Sequence, residues 1–252
     1  MLKSLCIAFA LYSRIPMPRV EWSEENMRWC VCFFPLIGAV IGAAEFLWAW
    51  LAGLLCLPTL LRGAVAAILP ILLTGAIHLD GFCDTVDGLS SHQSRERKLE
   101  ILKDSNAGAF AVIFFGVWML LYFAGWSTVG RTADLWAAGL AFVLSRALSG
   151  LALTNWEQAR KQGMLRTVAD AAKKKTVTAV MLVYIIICIV LLPLLAGWRG
   201  GLVIAVCALT TLHYRVMSYR QFGGVTGDLA GYFVSLTELG CILILAFTEA
   251  LI

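Results

Sequence analysis

The chain is 252 residues long, 60% apolar and 14% charged, with a formal net charge of +4, whereas a soluble protein carries roughly 25% charged residues. Together with a mean hydropathy of +0.83, this excludes a disordered chain, a secreted disulfide scaffold and an ordinary cytosolic enzyme, and points to a membrane protein. The basic residues stand between long apolar runs, where they set membrane orientation, so the basic excess does not indicate a nucleic-acid partner.

At the start, Lys3 precedes an apolar run from Leu5 to Tyr12, followed at once by Arg14-Ile-Pro-Met-Pro18. The run is at the short end for a signal peptide and predicts an interfacial or re-entrant segment under a helical bundle. Seven apolar windows follow, at about 29–52, 63–79, 109–126, 135–153, 177–197, 201–217 and 229–250, each close to the ~17–25 residues that cross a bilayer. With the N-terminus cytoplasmic, sixteen of the twenty Lys and Arg fall in inner segments and three (Arg62, Arg131, Arg199) in outer loops, the last being Arg146 within a span. That asymmetry predicts an all-α, polytopic bundle of about seven spans with a cytoplasmic N-terminus. The chain reads as a single membrane domain over 1–252, without repeat or linker, whose active loops at about 80–108, 154–176 and 215–228 face the cytoplasm. The eight cysteines include no CxxC pair and read as small buried hydrophobes.

The second window ends in His78-Leu-Asp80-Gly-Phe-Cys-Asp84-Thr-Val-Asp87-Gly88. On a helix Asp80, Asp84 and Asp87 lie within about 60° of one another. Three like charges on one face repel, and a divalent cation is the simplest compensation. All-oxygen donors favour Mg²⁺ or Mn²⁺ over zinc. Gly81 and Gly88 flank the outer aspartates, leaving room for a ligand or a neighbouring backbone.

Further along this inner loop, Lys103-Asp104-Ser105 precedes the third span, offering a cation for phosphate and a carboxylate that takes a proton or joins a metal. The last inner loop contains Gly223-Gly224-Val-Thr226-Gly227-Asp228: glycines that let backbone amides approach phosphate, with a hydroxyl and a fifth carboxylate. Glu45, Arg146, Glu238 and Glu249 lie within spans. Arg146 and Glu238 are expected to face the interior, either paired with each other or with Arg146 on a substrate phosphate; Glu249, near a helix end, is expected to reach water. Clustered carboxylates, cations and a glycine loop on one face suit a nucleotide diphosphate held on Mg²⁺ for phosphoryl transfer.

These motifs, with Arg14-Ile-Pro16, Phe33-Phe-Pro-Leu-Ile-Gly38, Leu99-Glu-Ile-Leu-Lys-Asp-Ser105 and Ser145-Arg146 in the same order, resemble the cobalamin synthase family, the adenosylcobinamide-GDP ribazoletransferases. The resemblance implies a transferase of the bacterial inner membrane, its active site facing the cytoplasm. It would join adenosylcobinamide-GDP to α-ribazole, or to α-ribazole 5′-phosphate, giving adenosylcobalamin or its 5′-phosphate and releasing GMP with Mg²⁺. It further implies Asp80, Asp84, Asp87 and Asp228 as metal ligands, and Asp84, Asp104 and Lys103 as catalytic groups. Arg14, Ser105, Arg146, Gly224 and Thr226 would contact substrate. A CDP-alcohol phosphotransferase also breaks a nucleotide diphosphate on clustered aspartates, but with an Ala-Arg after the first Asp-Gly and longer gaps, both missing here. A cation-coupled transporter would place its acids near the midplane, whereas these gather at one surface.

Overall fold

The computed structural model describes residues 1–104, 106–160, 163–249 and 251. The chain begins with α1 (Leu2–Tyr12) and α2 (Glu24–Met27), and a 3₁₀ turn over Cys30–Phe33 leads into α3 (Phe34–Leu54). Then come α4 (Thr59–Thr74), α5 (Ile77–Ser90), α6 (Arg95–Ile101), α7 (Ala109–Thr128), α8 (Thr132–Asn155), α9 (Met164–Ala171) and α10 (Lys174–Ala196). Next, α11 (Trp198–Met217) widens into a π turn over Ser218–Phe222 before α12 (Gly227–Glu249). The described residues include no strand, only one isolated bridge between Gln158 and Val225.

Six helices are long and apolar enough to cross a membrane, and α4 with α5 forms a broken pair, bent by 93°, that makes up to seven. The apolar window at 63–79 runs straight through that break. Its cause is local: Gly75 and Ala76 both take φ of 65°, a left-handed conformation that stops a helix and that glycine alone adopts without strain. A side chain at 75 would also collide with Arg14, whose Nε lies 2.5 Å from the position of a Cβ there.

Small residues set the packing. A Cβ on Gly38 would strike the backbone of Phe142, and one on Gly42 would come 2.7 Å from Gly139 Cα, so α3 and α8 touch backbone to backbone as membrane helices do at glycine contacts. Buried residues run along most of α8 and α12, whereas Ile186, Val190 and Leu194 of α10 are exposed, as a lipid-facing surface requires. None of the eight cysteines forms a disulfide.

Two networks pair interior charges. Arg146, fully buried, donates to Glu238 at 2.6 Å and to the Phe142 carbonyl at 2.9 Å. Arg199 and Glu249, expected in a loop and at water, instead close a second network. Arg199 is buried at the start of α11, 2.8 Å from the buried Asp134 and 3.1 Å from Glu249, and its Nε donates to Thr248.

Candidate functional site

The site is built where α5 crosses α12. A Cβ on Gly81 would lie 2.6 Å from the Asp228 carbonyl oxygen, and one on Gly231 would lie 2.8 Å from the His78 carbonyl oxygen. Glycine at both positions lets the two backbones meet, which sets Asp80 and Asp84 beside Asp228 although 144 positions separate Asp84 from Asp228 in sequence. Asp84 sits in the electrostatic field of Asp80, Asp228 and Asp87, with Arg160 opposing them. The glycine in this motif is therefore spent on a neighbouring backbone.

Arg160, which sequence reasoning did not single out, is the cation bonded to Asp228. Its Nη1 donates to Asp228 Oδ2 at 3.0 Å and its Nη2 to the Leu99 carbonyl at 3.0 Å. Its Nε is buried without a partner among the described residues. The segment before it is held by Gly224: Val225 N–H donates to the Glu157 carbonyl at 2.8 Å and Ala159 N–H to the Val225 carbonyl at 2.9 Å. Gly224 has φ of 151°, and a Cβ there would meet Glu157 O at 2.5 Å. In this structure Gly224 thus clamps the loop that carries Arg160, and it does not line the cavity.

That cavity, of about 250 Å³, is lined by Asp80, Asp228, Thr226 and Arg160, with Tyr12, Phe34 and His78 forming an aromatic wall. The His78 ring lies 5.6 Å from that of Phe34 and 6.5 Å from that of Tyr12. Thr226 lines the cavity while its hydroxyl caps α12 by accepting from Leu229 N–H at 3.2 Å. The guanidinium can donate to an anionic group, the carboxylates can hold a cation beside it, and the apolar wall suits a bulky apolar body attached to it.

The other expected residues lie elsewhere. The two oxygens of Asp87 accept from Gly108 N–H at 2.6 Å and Ala111 N–H at 2.8 Å. Asp87 thus caps the start of α7, where a helix has unsatisfied donors and a positive dipole end. Gly108 makes this possible, since a Cβ there would stand 2.7 Å from both oxygens. Lys103 and Asp104 are exposed at the end of α6 and do not line the cavity. Asn106 holds the Asp104 carboxyl below the usual range through a backbone N–H at 3.0 Å and its side-chain amide at 2.8 Å, which makes it a weak base near neutral pH. Ser105 lies outside the described residues. Arg14 is exposed, packed on Gly75, with its N–H on the Leu73 carbonyl. Arg146, offered as a phosphate ligand, donates through Nη1 to Glu238 and does not line the cavity, while its Nε and Nη2 have no partner among the described residues.

Among the described residues no three His, Cys, Asp or Glu side chains are gathered closely enough to hold a metal by themselves. Asp80 and Asp228 on the cavity, with Asp84 beside them, leave a site of hard oxygen donors with Arg160, and Arg166 paired to Asp170, as its cations. Mg²⁺ is commonly held by one or two carboxylates plus substrate phosphates, and this donor set fits that mode without a preformed protein cage.

Comparison with known proteins finds one family over nearly the whole chain. The profile of the family described as cobalamin-5-phosphate synthase matches residues 4–246. An adenosylcobinamide-GDP ribazoletransferase of Lachnoclostridium phytofermentans is 44% identical over 251 residues, covering 100% of this chain and 96% of its own. Proteins of the same name from Pseudomonas syringae pv. syringae (36% identical, 89% of this chain and 90% of its own) and Treponema denticola (30% identical, 94% and 95%) are also similar. No solved structure matches.

Proposed function

The chain belongs to the cobalamin-5-phosphate synthase family, and we propose that the cavity between α5, α12 and Arg160 is where it transfers ribazole onto adenosylcobinamide-GDP. The observation that carries this assignment is the Gly81–Asp228 backbone contact, which gathers carboxylates from two distant motifs at a cavity also lined by Arg160 and Arg166.

In this reading Arg160 and the amides near Thr226 bind the diphosphate, and the wall of Tyr12, Phe34 and His78 receives an apolar part of a substrate. Mg²⁺, held by one or two of Asp80, Asp84 and Asp228 together with the diphosphate itself, would supply charge neutralisation there. A free ribose hydroxyl of α-ribazole, one that the 5′-phosphate form also keeps, attacks the phosphorus on the corrinoid side. One P–O bond forms, the P–O–P bridge breaks, and GMP leaves with the bridging oxygen. Asp84, partly exposed and crowded by other carboxylates, is placed to take the hydroxyl proton. Asp104, already engaged by Asn106, is the weaker candidate. The cytoplasmic orientation of this face in a bacterial inner membrane is supported by the sixteen inner basic residues against three outer ones.

The test is product identification. Protein reconstituted in liposomes with Mg²⁺, adenosylcobinamide-GDP and α-ribazole should yield adenosylcobalamin and GMP in equal amounts. Release of GDP, or GMP release that does not need the ribazole, would contradict the proposed bond cleavage.

A further inference from the structure

A second cavity, of about 210 Å³, opens at the opposite end of α7 and α8, beside the start of α4. Glu45 of α3 lines it, 2% exposed, and both carboxylate oxygens are buried with no hydrogen-bond partner among the described residues. The interior cation Arg146 is taken by Glu238 and makes no ion pair with Glu45. A carboxyl removed from water stays charged only where a cation meets it, and otherwise holds its proton. Two indoles shape the same cavity: Trp126, whose buried Nε1–H is also unpartnered, and Trp48, fixed by its Nε1–H on the Arg62 carbonyl at 2.9 Å. Arg62 lines the cavity too, its Nη2 lying 3.5 Å from a Cβ position on Gly130, and it forms no ion pair among the described residues.

The features are complementary to one ligand chemistry. An unpaired carboxylate beside indole faces selects a cation, and its two bare acceptors select a cation with N–H donors over a quaternary one. An arginine on the same cavity suits a phosphate. Thr132 and Leu135, from the first turn of α8, line the cavity, so it lies about one helical turn, ~5 Å, inside the bundle end. Trp48, Trp50 and Trp126 gather around it, as tryptophans do at headgroup level. We propose that this cavity binds a primary ammonium carried next to a phosphate, namely the headgroup of an ethanolamine phospholipid, with the ammonium on Glu45 and the phosphate on Arg62. The site is separate from the aspartate cavity and independent of the reaction assigned there.

The full chain in detergent is titrated with short-chain phosphatidylethanolamine, phosphatidylcholine and phosphatidylglycerol, and with free phosphoethanolamine as competitor, reading retained lipid by native mass spectrometry. Phosphatidylethanolamine should bind about tenfold more tightly than the other two lipids. Glu45→Gln should abolish the preference and Arg62→Gln should weaken binding severalfold. Displacement by an equal concentration of phosphoethanolamine would support the same site with a soluble zwitterion as its ligand. Equal binding of the three lipids, or an intact preference in Glu45→Gln, would overturn the proposal. If Glu45→Gln does not fold, Trp126→Phe and Arg62→Gln carry the test, and an unchanged preference in the first together with unchanged affinity in the second overturns it.

Discussion

Gly81 of α5 rests on the backbone of Asp228 of α12, so closely that a Cβ at 81 would lie 2.6 Å from the Asp228 carbonyl oxygen. The reciprocal contact, Gly231 on His78, makes the crossing a two-point clasp. Gly81→Ala and Gly231→Ala should each force the helices apart, at a cost of about 1–3 kcal/mol, and cut ribazole transfer at least tenfold by separating the carboxylates. Gly116→Ala, where a Cβ meets nothing within 4 Å, should change neither thermal stability nor rate. Transfer assays beside thermal unfolding check all three.

Asp87 separates a capping role from a metal role. Its carboxylate satisfies two amides at the start of α7, so Asp87→Ala should lower stability by about 1–2 kcal/mol while leaving the Mg²⁺ concentration for half-maximal activity unchanged. Asp84→Asn should do the reverse, raising that concentration with little change in unfolding. A large rise in the Asp87 variant would return that residue to the metal shell.

Arg160 links Asp228 to the Leu99 carbonyl, tying the third inner loop to the α5–α12 crossing. The pair is partly exposed, so its contribution to folding is small, about 1 kcal/mol or less after solvent screening. Its effect on substrate should be larger: Arg160→Gln is expected to raise KM for adenosylcobinamide-GDP at least tenfold. Arg160→Lys, which keeps the charge and loses the fork, should recover only part of this. Steady-state kinetics at saturating Mg²⁺ decide it.

Arg146 and Glu238 form a buried pair at 2.6 Å. Glu238→Leu leaves a buried arginine unpaired and should destabilise by about 3–5 kcal/mol, whereas Arg146→Met with Glu238→Leu should restore most of it. An active double variant would show that Arg146 supports the fold; loss of transfer in a stable double variant would return it to substrate binding.

The membrane class and most span positions were legible because apolar length is a one-dimensional signal. The break at Gly75–Ala76 was not, since it is written in backbone dihedrals within an apolar run. The shared face of Asp80 and Asp84 followed from helical period, and Arg146 and Glu238 were expected inside because a charge within a span needs a partner, but the pattern left open whether Arg146 meets Glu238 or a substrate phosphate. Arg160 was hidden among the six basic residues of 154–176, which serve orientation equally well. Only the Gln158–Val225 bridge, a pairing between distant segments, brings it to Asp228. Asp87 looked like its two neighbours in the motif until Gly108, twenty-one positions away, supplied the amide it caps.

The central claim is that carboxylates of α5 and α12 act together on one diphosphate. It is tested most directly by GMP release from adenosylcobinamide-GDP and α-ribazole in liposomes, measured across Mg²⁺ concentrations for the parent, Asp84→Asn and Asp228→Asn. Metal-dependent release in the parent that falls at least a hundredfold in each folded variant is the expected result. Release within threefold of the parent in a folded Asp228→Asn protein would contradict the shared site.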